Sequence, residues 1–299
     1  MKTAPIVLFV YNRPEHTRRT VEALQKNDLA EESDLIIFSD AAKNTEADRS
    51  VQEVREYIGT IGGFKSVRVV SRDSNFGLAR SIIDGVTSIC GQYGRVIVLE
   101  DDLVTSPYFL RFMNEALDIY RDDRRVSGIH GYWYPVDSPV PKTFFLRGAS
   151  CWGWATWSHA WELFENDGAI TLAELRRRGL TKHFDLDGAF PYIWLLKEQI
   201  AGKNNSWAIR WHAAMFLANR LQLSPGTSLV RNIGFDGSGI HSSVSDTYDT
   251  ELAESPVLVE HLEPVECIEA RAALIRYYRR TRPNLVGRMY GRLLRAMGL

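Results

Sequence analysis

Short apolar runs alternate with helix-period stretches through the first hundred residues. Ile6 to Val10 is an unbroken apolar run, and from about Pro14 to Lys26 apolar positions recur at helical spacing. Leu35 to Phe38, a helical stretch from about Glu46 to Tyr57, Val67 to Val70, a helical stretch from about Leu78 to Tyr93, and Val96 to Leu99 follow in turn. Strands and helices in such alternation predict an α/β fold with a doubly wound, mostly parallel sheet and a crevice at the carboxyl ends of its strands. Polar residues follow each run: Asn12 and Arg13, then Ser39 and Asp40, then Arg72, Asp73 and Asn75. Pro107 suits the start of a further helix, from Tyr108 to Tyr120. From Ser127 the chain becomes aromatic and glycine-rich with less regular periodicity. A second region is therefore expected over about 127–245, with a C-terminal appendage over 246–299.

The run Val96 to Leu99 ends in three acids, Glu100, Asp101 and Asp102. Carboxylates so close repel one another and resist desolvation. They persist together when protons, cationic side chains or a hard divalent metal offset the charge. A metal that also bridges phosphates accounts for all three; a solvated acidic loop is the simpler alternative.

Bulk properties narrow the classes. With 299 residues and 45% hydrophobic composition, the chain can bury one large core or two unequal ones. Lysine plus arginine number 36 against 37 acids, which argues against nucleic-acid binding through bulk positive charge. Cys90, Cys151 and Cys267 are far apart and form no CxxC pair, so neither a zinc site nor a disulfide framework is indicated. The apolar run near the N-terminus is too short for a signal peptide, and no run approaches the length of a membrane span, so a cytoplasmic protein is expected. Neither G-x-G-x-x-G nor G-x-x-x-x-G-K-S/T occurs. Ordinary dinucleotide oxidoreductases and P-loop enzymes are disfavoured, and phosphates would have to be held another way.

Four of the eight tryptophans, Trp152, Trp154, Trp157 and Trp161, fall within one short segment. Indole faces stack on sugar rings while their N–H groups reach hydroxyls, so the segment suits a carbohydrate pocket; an aromatic core is the alternative. Trp207 and Trp211 flank Arg210, a cation beside aromatic faces that could meet a pyrophosphate or simply pack, and Arg147 offers the same choice. Asn232 to His241 holds three glycines and ends in a histidine, the composition of a loop that wraps a ligand. His241 could share a metal with Asp102, or be a loop residue. His130 is expected to be structural.

Taken in order, these motifs resemble a bacterial GT-A glycosyltransferase of the broad family 2 type. The likeness covers about residues 4–242. It rests on the N-R-P turn and its helix (Asn12 to Thr20), Asp40, N-x-G-L-A (Asn75 to Ala79), the acidic triplet, W-G-W-A-T-W, and L-V-x-N-I-G-F ending in histidine. The L-E-D-D-L-x-x-S-P-Y-F segment (Leu99 to Phe109) also resembles the E-D-D region of the N-acetylglucosaminyltransferase I group. The resemblance implies a nucleotide-sugar-binding half over 1–126, an acceptor-binding half of the same domain over 127–245, and a basic helical appendage over 246–299. It implies a nucleotide-diphosphate sugar donor with Asp40 near the base, Asn12 and Arg13 near the nucleotide, Asp101 near the ribose, and Glu100 and Arg80 among the donor-binding residues. Asp102 would bind Mn²⁺ or Mg²⁺, with His241 completing the shell, and the metal would neutralise the departing diphosphate. The enzyme would be of hexosyl- or N-acetylhexosaminyl-transferase type, inverting, and would act on a glycan or lipid-linked acceptor in surface polysaccharide synthesis. Trp152, Trp154, Trp157 and Arg210 would border the acceptor or sugar pocket.

One departure bears on mechanism. Relatives with this tail commonly carry W-D-x-x-W, whose Asp is the obvious base, whereas this chain reads Trp207-Ala208-Ile209-Arg210-Trp211. Alanine cannot accept a proton, so the base is expected at Asp187, with Glu198 as the alternative. Retention of configuration, or loss of activity, stays open. Arg271 to Leu299 holds eight arginines and no acid among leucine, tyrosine and methionine. A basic helix of this kind can lie on an anionic membrane surface, making the protein peripheral there, or end as a solvated helix. Two further functions compete: a sugar-phosphate nucleotidyltransferase, which would want a glycine-rich, lysine-containing loop that Val10 to Pro14 does not offer, and a catalytically degenerate glycan-binding or scaffold protein on the same fold.

Overall fold

The computed structural model describes residues 2–237 and 245–281. The elements run in chain order as β1 (Ile6–Val10), α1 (Pro14–Gln25), β2 (Asp34–Ser39), α2 (Thr45–Ile58), β3 (Ser66–Ser71), α3 (Leu78–Tyr93), β4 (Arg95–Glu100), β5 (Leu103–Thr105) and α4 (Phe109–Ile119). They continue as β6 (Val126–His130), β7 (Thr143–Arg147), β8 (Trp154–Trp157), α5 (Ser158–Trp161), α6 (Gly168–Arg177), α7 (Thr181–Phe184), α8 (Tyr192–Ile200), α9 (Trp207–Leu217), β9 (Leu221–Pro225), β10 (Val230–Asn232) and α10 (Ile268–Thr281).

One eight-stranded sheet has the order β3-β2-β1-β4-β8-β6-β9-β7. Its first four strands are parallel, with Ile6 level with both Leu35 and Ile97. Strand β8 then runs antiparallel to β4 and β6, and β7 antiparallel to β9. This is the mostly parallel α/β architecture expected from the alternating pattern. The sheet does not stop at residue 126: β8 continues it directly from β4, so both halves share one sheet. A separate two-stranded ribbon pairs β10 with β5.

Strand periodicity assigns the two faces of the sheet. Ile6, Leu8 and Val10 pack with α1 and α4 residues such as Leu24 and Phe109, whereas Val7 and Phe9 pack with Ile82, Val86 and the tryptophans of α5 and α9. Local chemistry fixes several helix starts. Pro14 opens α1, whose first N–H groups need no intrahelical partner, and the Asn44 side chain accepts from Ala47 N at the start of α2. The C-terminal appendage is anchored to the sheet edge, where Cys267 N donates to Phe145 O at 2.8 Å. Among the described residues no helix is long and apolar enough to cross a membrane.

Candidate donor site at the strand ends

Strand polarity brings the carboxyl ends of β1, β2 and β4 to one edge. There Arg13 Nη2 donates to Asp102 Oδ2 at 2.9 Å and to Asp101 Oδ1. Asp101 is buried, and its backbone carbonyl accepts from Thr20 Oγ1 at 2.8 Å. Arg13 is thus shared by Asp101 and Asp102 with Glu100 beside them, and the shortage of positive charge appears in the acidities of Glu100 and Asp101. Burial, then Asp102 and Asp101, push Glu100 up to about 8; burial pushes Asp101 up to about 6 against the opposing pull of Arg13. Burial alone would lower the Arg13 pKa, but Asp101 and Asp102 raise it overall. Cys151 sits within the same field, its thiol raised by burial and then by Glu100 and Asp102.

The glycine loop reaches the same edge. Ile233 N donates to Asp102 O at 2.9 Å, and Gly234 N to Asn232 Oδ1 at 2.8 Å. A Cβ on residue 234 would overlap Asp102 Oδ2 and stand 3.2 Å from Arg13 Nη1. Phe235 then packs on Trp152, with ring centroids 5.6 Å apart, and Asp236 Oδ2 lies 3.0 Å from His16 Nε2. His16 is one helical turn beyond Arg13, so α1 presents both toward this loop. His16, Cys151 and Asp236 were not singled out from the sequence. The three-residue spacing of Arg13 and His16 was the available pointer; the packing of Cys151 against the acids had none.

Asp40 has a different task. Its carboxylate accepts from Ala41 N (2.9 Å), Phe76 N (2.8 Å), Gly77 N (2.8 Å) and Asn75 Nδ2 (3.2 Å). These bonds fold the turn before α3, where Gly77 supplies the required positive φ. Asp40 therefore shapes this part of the edge through the turn it holds. Arg80, exposed on the first turn of α3, lies 3.8 Å over the Phe76 ring, with Arg72 at 4.4 Å. Asn12 is half-buried between β1 and Arg13.

Other expected site residues are not brought to this edge. Trp154 and Trp157 are buried in β8 on opposite faces of the sheet, so they cannot together border one sugar pocket. Trp154 stacks on Trp207 at 5.4 Å, and packing claims both rings; only Trp152 of the expected trio reaches the site. Arg210 is buried and donates to Asn166 O and Oδ1 and to Ser206 O, which makes it a clamp between two loops rather than a pyrophosphate ligand. Asp187 accepts from Arg271 Nη1 of α10 at 2.8 Å, a bond that lowers its pKa and weakens it as a proton acceptor. Glu198 pairs with Lys203 at 3.1 Å. His130 is a buried strand residue, as expected, with burial pressing its pKa down to about 3. His241 and the basic segment beyond 281 lie outside the described residues.

Among the described residues no cluster of three or more His, Cys, Asp or Glu side chains converges as a metal cage. Asp102 is the most open acid of the triplet's Arg13-linked pair, 16% exposed at its side chain against 6% for Asp101. A lone carboxylate such as Asp102 could serve as a single protein ligand to a hard divalent ion, the rest of whose shell would have to come from outside the protein.

Comparison with known proteins places these observations in a family. No curated protein matches the chain. Among solved structures it is similar to the mannosyltransferase PcManGT from Pyrobaculum calidifontis in complex with GDP-Man and Mn²⁺: 14% identity, TM-score 0.34, covering 46% of this chain and 37% of that one. It is also similar to S. aureus TarS, with 16% identity, TM-score 0.32, and 48% and 24% of the two chains covered. For S. aureus TarS 1-349 in complex with UDP-GlcNAc the values are 14%, 0.31, 46% and 37%. The chain spans less than half the length of each. The sequence model described as glycosyl transferase family 2 matches residues 6–157, from the first residue of β1 to the last of β8. That stretch carries Arg13, Asp40 and the acidic triplet, and the chain belongs to glycosyl transferase family 2.

Proposed function

We propose that the protein is a metal-dependent glycosyltransferase that moves a sugar from a nucleotide-diphosphate donor to a glycan or lipid-linked acceptor in surface polysaccharide synthesis. The observation that carries this is the meeting of Arg13, Asp101, Asp102 and Gly234 at the strand ends. Asp102 is the residue that would hold Mn²⁺ or Mg²⁺, and the ion, when bound, would neutralise charge on the leaving diphosphate. Arg13 fixes the Asp101 and Asp102 carboxylates and adds a cation beside them. Gly234, having no side chain, lets the loop approach Asp102.

In the transfer, the acceptor oxygen bonds to the anomeric carbon as the bond from that carbon to the diphosphate oxygen breaks. The nucleoside diphosphate leaves with the electron pair, and the acceptor proton passes to a carboxylate. We assign that carboxylate to Asp236, which the 232–237 loop carries two residues beyond Gly234 and which is half exposed beside His16, in preference to Asp187, which pairs with Arg271 of α10 and is not brought to this edge. One step of this kind inverts the anomeric carbon. Thermal-shift measurements over a panel of nucleotide sugars, with and without Mn²⁺, test the donor: a Mn²⁺-dependent rise in Tm with one nucleotide series supports the proposal. Equal response to free glycans alone, with none to nucleotides, favours a glycan-binding protein.

A further inference from the structure

A row of aromatic rings leads away from the donor site. Trp152, beside Phe235, meets Tyr248 at 5.4 Å between centroids; Tyr248 meets Tyr134 at 6.4 Å, and Tyr134 meets Trp133 at 5.8 Å. The far end of the row walls an open cleft of about 610 Å³, whose lining includes Trp133, Tyr134, Asp137, Thr227, Asp249 and Glu251. Asp249 directly follows the Tyr248 ring in the chain. From Ser228 on the cleft to Gly234 at Asp102 is six residues, so the two lie at most about 21 Å apart.

The chemistry of the cleft is specific. Its lining holds three carboxylates, and three arginines meet the lining from outside: Arg280 pairs with Asp137, Arg231 with Asp249, and Arg276 donates to Ser138 Oγ. No lysine, arginine or histidine is among the lining residues. The balance offers no excess positive charge for a pyrophosphate or a uronate, while the lining combines the hydroxyls of Ser138, Thr227 and Thr250 with three carboxylates and the Trp133 and Tyr134 rings, a set suited to a polyhydroxylated ligand. Trp133 is buried, and its Nε1 has no hydrogen-bond partner. Trp133 also lines an inner cavity of about 40 Å³, together with His130, whose Nε2 is likewise without a partner among the described residues. Both atoms are sealed from solvent, so a water in the inner cavity, not a ligand in the open cleft, is what would satisfy them.

We propose that this cleft binds an uncharged stretch of the acceptor glycan beyond the unit that is extended. The proposal rests on the transferase function above, since only then is there an acceptor to hold. It makes the acceptor's recognised part a neutral oligosaccharide rather than a phosphate-bearing lipid headgroup.

The test is binding of the full chain to an array of immobilised neutral, uronate-bearing and phosphate-bearing oligosaccharides. Wild type is compared with Thr227→Arg, which fills the cleft, and Glu251→Ala; both positions are exposed, so folding is spared. Binding of the neutral series, weakened about tenfold or more in Thr227→Arg and less in Glu251→Ala, is expected, as befits loss of about 1.4 kcal/mol or more. Nucleoside-diphosphate affinity, measured on the same samples, is expected to be equal in all three. Neutral-glycan binding that survives in both variants, binding confined to uronate- or phosphate-bearing probes, or no binding of neutral probes overturns the cleft. Neutral binding lost in Thr227→Arg without any nucleotide binding in wild type upholds the cleft and overturns the transferase function instead.

Discussion

Gly234 and Asp102 are packed so closely that a single added methyl group on residue 234 would overlap the Asp102 carboxylate oxygen Oδ2. Glycine is thus required by proximity, not by backbone twist, since its φ is not among the positive values. The loop after β10 and the acids after β4 form one unit. Gly234→Ala should displace one against the other at a cost of about 1–3 kcal/mol, the usual range for overpacking. Calorimetric titration should show Mn²⁺-dependent nucleotide binding reduced in a protein that still unfolds cooperatively; binding identical to wild type would separate the loop from the site.

The acid cluster makes stability depend on pH in a defined direction. A carboxyl group whose pKa is higher in the folded state contributes stability that is fully present below its ordinary value and is lost as pH rises through the folded one. For Glu100 that window runs from 4.5 to about 8, and Asp101, at about 6, acts in the same sense. In the presence of a chelator, Tm should fall across this window in wild type and fall less in Glu100→Gln. An equal fall in the two proteins would show that Glu100 ionises as freely in the folded state as in the unfolded one.

Asp236 and Asp187 make opposite forecasts. If Asp236 takes the acceptor proton, Asp236→Asn should lower kcat by roughly 10²- to 10⁴-fold with donor affinity little changed. Asp187→Asn should instead reduce stability modestly through loss of its partly exposed Arg271 pair and leave kcat near wild type. Steady-state kinetics on both variants decide: collapse of kcat in Asp187→Asn alone would return the base to the 185–188 loop.

Trp154 and Trp152 should part company as well. Trp154 is fully buried among Trp161, Trp207 and Trp211, so Trp154→Ala should cost roughly 3–5 kcal/mol in chemical denaturation. Trp152 is half-buried beside Phe235, and Trp152→Leu should alter ligand-induced fluorescence with a smaller stability loss. Equal stability costs for the two would place Trp152 in the core too.

The parallel half was legible in the sequence because its strands and helices keep strict periods. Ile6, Val10, Pro14, Leu78 and Tyr93 stand at observed element ends, and the other early boundaries shift by one residue. The antiparallel half hides its strands in aromatic, glycine-rich sequence, and β5 and β10 are three residues each, too short to show a period. Trp154 and Trp157 are close in sequence, but an odd separation within one strand sends their rings to opposite faces of the sheet. Arg271 meets Asp187 across 84 residues, a contact that no local pattern announces. Gly234 meets Asp102 in the same way, through the β5–β10 ribbon.

The central claim is that the acidic strand end holds a nucleotide diphosphate through a divalent ion at Asp102. Isothermal titration of uridine, guanosine and thymidine diphosphates, in Mn²⁺ and in chelator, on wild type and Asp102→Asn, tests it most directly. The account predicts that one of these binds wild type about tenfold or more tightly with Mn²⁺, a gain of about 1.4 kcal/mol or more, and that folded Asp102→Asn loses that gain. An undiminished Mn²⁺ gain in folded Asp102→Asn, or no nucleotide binding under either condition, would contradict it.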